Sequence, residues 1–351
     1  MKSKWIKGYT HYHTCFSRYP GFKLDAKIFR QLGRMGAQFV FCSGDHGAAK
    51  GDGFWGFNIE DWPDYTEACS KASVEAGLPF VPFPEIHLRF SPLDLRREHH
   101  ACLPVPGTYP PVQGPDDPVR AASFTYDLES FFKHVKETGV PVILNHAYLS
   151  TLLTKERGFN APSPVSVQAF ENFDCIEIVS RDRIEYLGRD FVYYCEFHRR
   201  RIPMGCTGGL DNQPENDDNF DDLCPRVATY LYVEREAGAA NLINSLKNRN
   251  CYVSIGDLVF DEINPIPSAT AESQAVPKLS AVARCRSGKA IQRVKIFKNG
   301  CMAYHKEFGG VDACEIRWED EDVSGENAIY VIYVEADDSQ HLISGPICLI
   351  S

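Results

Sequence analysis

Residues 36–46 read GAQFVFCSGDH, and the fold prediction rests on the pattern that this stretch displays. Segment 25–35 has a helix-like pattern, and the glycine directly after it is a residue type that commonly ends helices. The apolar run Phe39 to Cys42 has the length of a buried strand, and Asp45 and His46 follow shortly after it. The sequence therefore predicts a helix, a buried strand and a polar strand end in direct succession.

The same succession recurs along the first two-thirds of the chain. Further apolar runs follow helix-like segments, and glycine stands at several of the junctions. Strands that alternate with helices in this way predict a parallel sheet wound by right-handed crossovers, either open or closed into a barrel. The strands predicted from this pattern are Leu78 to Phe83, Val140 to Leu144, Cys175 to Val179 and Ile202 to Cys206.

The pattern changes after about residue 260. Segment 263–277 is rich in Pro, Ser and Ala and has no periodicity. Beyond it, short strand-like runs follow one another without an intervening helical pattern, and Lys298-Asn299-Gly300 is a hairpin turn signal. We therefore predict a first domain over residues 1–260, a linker over 261–278 and a small β-sandwich over 279–351.

Composition indicates a globular protein with a packed core. The chain has 351 residues, of which 44% are apolar, and a formal net charge of −10. A general nucleic-acid binder would carry a basic face, so we expect no nucleic-acid partner. No apolar run approaches the length of a membrane span, and the first residues lack a signal-peptide core, so we expect a cytoplasmic protein away from the membrane.

The thirteen cysteines are an odd number and form no CxxC pair. A protein of this size seldom depends on disulfide bonds, and free cysteines are among the most buried residue types. We therefore expect buried, reduced thiols.

Imidazoles and carboxylates end nearly every predicted strand of the first domain. In a parallel barrel these strand ends share one rim, where active sites are built. His11 and His13 form an HxH pair, whose side chains point to the same side of a strand. Such a set suits zinc, manganese or iron. The residues at strand ends are His11, His13, Asp45, His46, Glu85, His99, His100, His146, Glu177 and Asp211.

The order of these motifs resembles the PHP (polymerase and histidinol phosphatase) family of metal-dependent hydrolases. The chain reads THYHT at 10–14, SGDH at 43–46, Pro84-Glu85, His100, Asn145-His146 and DNQ at 211–213. More narrowly it resembles the carbaryl-hydrolase-like branch, in which an Ig-like module follows the PHP domain. The resemblance covers nearly the whole chain and implies a TIM-like distorted (β/α)7 barrel followed by a small β-sandwich.

The resemblance also implies a metal site with two divalent ions, Zn, Mn or Fe. His11, His13, Glu85 and Asp211 would hold the first ion. Glu85 would bridge to a second ion, which His100, rather than His99, and His146 would also hold. Asp45 and His46 are the predicted catalytic residues.

A third ion, common in the family, is doubtful here. His46 is present, but Gln213 stands where the family has a histidine, and Arg18 lies where the family often reads Ser-Asp-Gly. We predict that Arg18 replaces the third ion as a fixed positive charge. The predicted substrate-binding residues are Arg18, Glu177, Arg181 and Gln213. Two of these allow another interpretation: Glu177 could support the site from behind or bond a loop, and Arg181 could be simply solvated.

The predicted function is a metal-dependent hydrolase that uses a metal-bound hydroxide in a two-metal site. A small anionic substrate, a phosphoester, is the first expectation, because metal ions invert the local field of an acidic protein. A carbamate or amide hydrolase is the first alternative. The second is a metal-stabilised binding module without catalysis, which the carboxylate-rich ligand set disfavours, since structural zinc sites are typically closed by thiolates.

Overall fold

The computed structural model describes most of the chain. The described residues are 4–14, 30, 32–44, 59–89, 98–105, 125–147, 172–180, 184–211, 226–234, 236–271, 277–288, 290–322, 327–337 and 339–349. Within them, twenty strands, four α-helices and one short 3-10 helix have defined bounds. Strands therefore dominate the described structure.

The first part of the chain contains all of the helices with defined bounds. In chain order its elements are β1 Lys4–His13, β2 Phe39–Ser43, a 3-10 helix Ile59–Asp61, α1 Trp62–Ala76, β3 Phe80–Pro82, β4 Glu85–Arg89, β5 Glu98–Cys102, β6 Thr125–Asp127, α2 Leu128–Thr138, β7 Ile143–Asn145, β8 Cys175–Ser180, α3 Ile184–Arg199, β9 Gly205–Gly209, β10 Val227–Val233, α4 Ala239–Lys247 and β11 Cys251–Ile255.

The remainder of the described chain is built from strands. They are β12 Leu258–Asn264, β13 Ser268–Ala271, β14 Lys278–Cys285, β15 Ile291–Lys298, β16 Cys301–Val311, β17 Ala313–Glu319, β18 Ala328–Ala336, β19 Gln340–Ser344 and β20 Ile347–Leu349. Strands β12, β14 and β17 form a separate three-stranded sheet, and the other strands join into one large mixed sheet that closes on itself.

Strand β1 lies where several strands of the large sheet meet. It pairs in parallel with β2 and β9 and antiparallel with β10. Gly8 of β1 stands opposite Phe39 of β2, and a Cβ at Gly8 would lie 2.4 Å from the Phe39 ring. The absence of a side chain at Gly8 therefore lets this ring pack directly on β1.

The predicted TIM-like (β/α)7 barrel is wrong. The described structure is mostly β, and it contains no barrel of alternating strand and helix units. Strand β4 pairs antiparallel with β5, β5 pairs antiparallel with β7, and β10 pairs antiparallel with β1 and β11. Antiparallel neighbours need no crossover helix. A short apolar run looks the same in sequence whether its neighbours run parallel or antiparallel, so the pattern could not show this arrangement.

The large sheet continues into the C-terminal part of the chain. Strand β11 pairs antiparallel with β19, so that Tyr252 stands opposite Ser344.

Part of the predicted linker is also ordered as the end of β12 and as β13. The hairpin prediction is confirmed: β15 and β16 pair antiparallel around Asn299 and Gly300, which have φ of 50° and 71°. The division at residues 260 and 279 stays a prediction.

The cysteines and the helices bear on two further predictions. Eleven cysteines lie among the described residues; all are free thiols, and all but Cys301 are buried. No described helix combines the length and hydropathy needed to cross a bilayer.

Helix α3 ties the two parts of the chain together. Its buried residues Leu187, Phe191, Tyr194 and His198 recur at the spacing of one helix face. The Tyr194 hydroxyl donates a hydrogen bond of 3.0 Å to the Ser344 carbonyl. The His198 ring packs on the Tyr194 ring, with centroids 4.3 Å apart, and its Nε2 lies 3.0 Å from the Met204 carbonyl oxygen.

Burial gives His198 a measurable effect on stability. Burial lowers the pKa of His198 to about 4 and outweighs the hydrogen bond to Met204, which by itself would raise the pKa. An unfolded histidine has a pKa of about 6.5. The unfolded chain therefore binds a proton between pH 6.5 and 4 that the folded chain does not, and the free energy of unfolding falls as the pH decreases through this range.

We predict that His198→Gln has a shallower pH dependence of stability than the wild type. The contribution of His198 to the free energy of unfolding is fully present above pH 6.5. Roughly 3 kcal/mol of it is lost by pH 4, at 1.36 kcal/mol per pKa unit. Urea denaturation of both proteins between pH 4 and 7 measures their difference in free energy of unfolding. Carboxylates that titrate in the same range contribute equally to both proteins and cancel in this difference. Parallel pH profiles would show that folded His198 takes up the proton freely.

Candidate metal centre

Six predicted metal ligands converge at one place in the fold. His11 and His13 lie at the end of β1, and Glu85 begins β4. The other three come from β5, from the residue after β7 and from two residues after β9. Strand pairing thus gathers side chains from distant parts of the sequence; the set is His11, His13, Glu85, His100, His146 and Asp211.

The Glu85 carboxylate is the centre of this cluster. Its Oε1 lies 3.1 Å from His11 Nε2, 3.2 Å from His100 Nδ1 and 3.4 Å from His146 Nε2. Its Oε2 lies 3.6 Å from His13 Nε2. One carboxylate therefore contacts all four imidazoles.

Asp211 closes the cluster on the side of His13. Its Oδ1 lies 3.3 Å from His13 Nε2 and 4.0 Å from His11 Nε2. Two overlapping groups have ligand atoms within 4.8 Å of one another: His11 with His13 and Asp211, and His11 with Glu85 and His146. The cluster thus offers two adjacent positions for a cation.

The cluster is buried but has one more open side. The side chains of His11, His13, Glu85 and Asp211 are 1–5% exposed. Those of His146 and His100 are 8% and 15% exposed. A small molecule would therefore reach the cluster from the side of His100 and His146.

The backbone is constrained where three of these side chains leave it. His11, His146 and Asp211 have positive φ of 54°, 26° and 37°, a region that residues other than glycine rarely adopt. The Asp211 amide donates a hydrogen bond of 2.8 Å to the His11 carbonyl, so two of the strained residues hold each other. Such strain concentrates at functional sites, where the surrounding structure compensates for it.

Neutral side chains hold the two ligand carboxylates in place. Asn145 Nδ2 donates to Glu85 Oε1 at 2.9 Å and to Cys102 Sγ at 3.1 Å. Ser180 Oγ donates to Asp211 Oδ2 at 3.2 Å. Burial raises the pKa of Cys102 to about 12, so it remains a neutral thiol.

Glu177 lies behind His11. Its Oε2 is 2.9 Å from His11 Nδ1, and its side chain has no exposed surface. This position suits support of the histidine better than direct contact with a substrate.

The electrostatics show how strongly the cluster attracts positive charge. Burial lowers the pKa of His11, but the Glu85 and Glu177 carboxylates outweigh it, and the pKa rises well above the usual range. Burial raises the pKa of Glu85, but His11 and His100 outweigh it, and the pKa falls well below the usual range. The carboxylates therefore favour a positive charge among the imidazoles.

The donor set fits a divalent transition-metal ion. His11 Nε2 is buried and, among the described residues, makes no hydrogen bond, although Glu85 Oε1 is only 3.1 Å away. Imidazole nitrogens and carboxylate oxygens around such an orphaned atom are the ligands that zinc, manganese and iron take in proteins.

Arg18, Asp45, His46, Arg181 and Gln213 lie outside the described residues, as does the side chain of His99. The proposed roles of these residues stay predictions. The sequence interpretation assigned no role to Asn145 and Ser180, although Asn145 directly precedes His146 and Ser180 ends the strand that carries Glu177.

Comparisons with known proteins give no family for the chain. No family model and no curated protein matches it. A DUF3823 family protein from Bacteroides ovatus has a TM-score of 0.20 at 9% identity, over 35% of this chain and 74% of that one. An engineered protein has a TM-score of 0.20 at 9% identity, over 93% of this chain and 80% of that one. Likenesses this distant carry no argument about fold or function.

The predicted membership of the PHP family is wrong. The described structure is mostly β with few helices, whereas that family implied a TIM-like barrel. Recurrence of histidines and carboxylates at strand ends is compatible with more than one sheet topology, which is why the motifs misidentified the family. The six side chains nevertheless lie together in the structure.

We predict that a divalent metal stabilises the folded protein through this cluster. At a free Zn²⁺ or Mn²⁺ concentration about 100 times the Kd, binding raises the free energy of unfolding by about 2.7 kcal/mol. Glu85→Gln removes the charge that contacts four imidazoles, so this variant should lose the stabilisation. Urea denaturation with and without metal measures it.

His305→Gln is the matched control, since His305 lies on β16, is 42% exposed and contacts Glu307. It should keep the full metal effect. Equal stabilisation of the wild type and Glu85→Gln would place the bound metal elsewhere.

Proposed function

We propose that this protein is a metal-dependent hydrolase of phosphoesters. The observation that carries the proposal is the buried Glu85 carboxylate in contact with four imidazoles. One of their nitrogens, His11 Nε2, makes no hydrogen bond within the part of the chain that the structure describes. A cluster assembled only for stability would bury apolar groups more favourably, because desolvation of charges commonly exceeds their mutual attraction.

The residues divide between two cation positions. His11, His13 and Asp211 would hold one cation, and His100 and His146 would hold the other. Glu85 lies between the two groups, with Oε1 toward His100 and His146 and Oε2 toward His13. When bound, such ions lower the pKa of a coordinated water and polarise a phosphoryl oxygen.

The surrounding residues would bind and orient the reactants. Imidazole and carboxylate side chains fill the buried side of the cluster, so the substrate would approach over His100 and His146, where the side chains are more exposed. Asn145 and Ser180 fix the ligand carboxylates through hydrogen bonds and keep their oxygens aimed at the cation positions. Such fixed groups need no rearrangement during reaction.

A phosphoester suits this arrangement for an electrostatic reason. The chain carries a formal net charge of −10, so an anionic substrate needs a local positive field. Two cations held by the imidazoles and carboxylates of the cluster would provide that field.

The test is hydrolysis of 4-nitrophenyl phosphate and bis(4-nitrophenyl) phosphate by metal-free protein supplied with Zn²⁺, Mn²⁺ or Fe²⁺. We expect activity that depends on metal and falls by at least about 100-fold in His100→Gln, since a metal ion contributes several kcal/mol and 1.36 kcal/mol is a factor of ten in rate. His305→Gln should retain the wild-type rate.

Two outcomes would contradict the proposal. Tight metal binding without hydrolysis of either ester under any metal would favour a binding module. Hydrolysis that persists in His100→Gln and in metal-free protein would place the activity outside this cluster.

A further inference from the structure

We propose that Glu177 is the positioning residue of the metal centre: it fixes the His11 ring so that Nε2 presents its lone pair to the cation. The inference rests on the proposed function and adds a role for a residue that contacts neither the cation positions nor the solvent.

The hydrogen bond between Glu177 and His11 settles which ring nitrogen is available. Glu177 Oε2 lies 2.9 Å from His11 Nδ1, a distance at which Nδ1–H donates to the carboxylate. A histidine that binds a metal ion is neutral, and when its one proton is on Nδ1, Nε2 carries the lone pair. That atom is the one that faces Glu85 and Asp211 at 3.1 and 4.0 Å. The carboxylate thereby selects the tautomer that can ligate a metal.

The backbone around Glu177 is shaped to place its carboxylate. Strand β8 has a register shift between Glu177 and Val179 in its pairing with β9, and such irregularities re-aim side chains. On the neighbouring strand β9, a Cβ at Gly209 would lie 2.0 Å from Glu177 Oε2. Only glycine leaves room for the carboxylate in the position where it meets His11.

The burial of Glu177 is difficult to explain by stability alone. The side chain is fully buried, and its second oxygen, Oε1, makes no hydrogen bond among the described residues. A buried acceptor without a partner costs free energy, and an apolar side chain would avoid that cost. The contact with His11 gives a functional reason for keeping a carboxylate here. Carboxylates that accept a hydrogen bond from a metal-binding histidine orient the ring and raise its basicity.

Asp174 provides a matched comparison three residues before Glu177 in the chain. It is also a buried carboxylate, immediately before β8, and it contacts Lys247 and Arg249 at 3.2 and 3.4 Å. Its partners are ordinary cations rather than a candidate metal ligand. Loss of its charge should affect folding and leave the metal centre unchanged.

The experiment is a Co²⁺ titration of metal-free wild type, Glu177→Gln and Asp174→Asn, followed by the visible absorption of the bound ion. We expect Glu177→Gln to bind Co²⁺ about 10–100-fold more weakly, with an altered spectrum, because supporting residues of metal ligands have effects of this size. Asp174→Asn should show the wild-type affinity and spectrum. Circular dichroism and urea denaturation report folding separately.

The outcomes separate this inference from the proposed function. Wild-type protein that binds no Co²⁺ would refute the proposed function. Wild-type binding together with unchanged affinity and spectrum in Glu177→Gln would refute the role of Glu177 alone.

A second variant covers a failure of Glu177→Gln to fold. Glu177→Asp keeps the charge but shortens the side chain by one methylene, so the carboxylate withdraws from His11. We expect the same weakening of Co²⁺ binding, and full wild-type affinity in this variant would overturn the inference.

Discussion

The contact between the buried Glu85 carboxylate and the surrounding imidazoles is the interaction on which the rest of the structure depends. Oxygen Oε1 alone lies within 3.4 Å of three imidazole nitrogens and of the Asn145 amide. A carboxylate removed from water costs several kcal/mol unless positive charge and hydrogen bonds compensate for it. The protein meets that requirement by bringing four histidines to one point, and a cation would meet it more completely.

The mixed sheet meets this requirement by combining parallel and antiparallel strand pairs. Parallel pairing of β1 with β2 and β9 aligns the strand ends that carry His13 and precede Asp211. The antiparallel pair β4 and β5 places Glu85 and His100 on neighbouring strands, and β5 next to β7 brings in His146. The strained backbone at three ligands is a further cost of this convergence. Glu177, held against Gly209, extends the same organisation one layer behind the ligands.

The sequence predicted the site better than the fold. Histidines and carboxylates at the ends of apolar runs are visible without coordinates, and six of them lie together in the structure. The hairpin at Asn299-Gly300 was equally visible, because both residues suit positive φ. The direction of neighbouring strands was not visible in the sequence, because Ile143–Asn145 has the same pattern beside a parallel or an antiparallel partner. The support from Asn145 and Ser180 depends on contacts between distant strands, which no local pattern encodes.

The most direct test of the central claim, a histidine and carboxylate metal centre, is X-ray absorption spectroscopy at the zinc edge on protein loaded with Zn²⁺. The thirteen cysteines make thiolate ligation the obvious competitor for this metal. We predict a first shell of nitrogen and oxygen at about 2.0–2.2 Å, with imidazole scattering and no sulfur. A shell containing sulfur at about 2.3 Å, or no stoichiometric zinc after loading, would contradict the account.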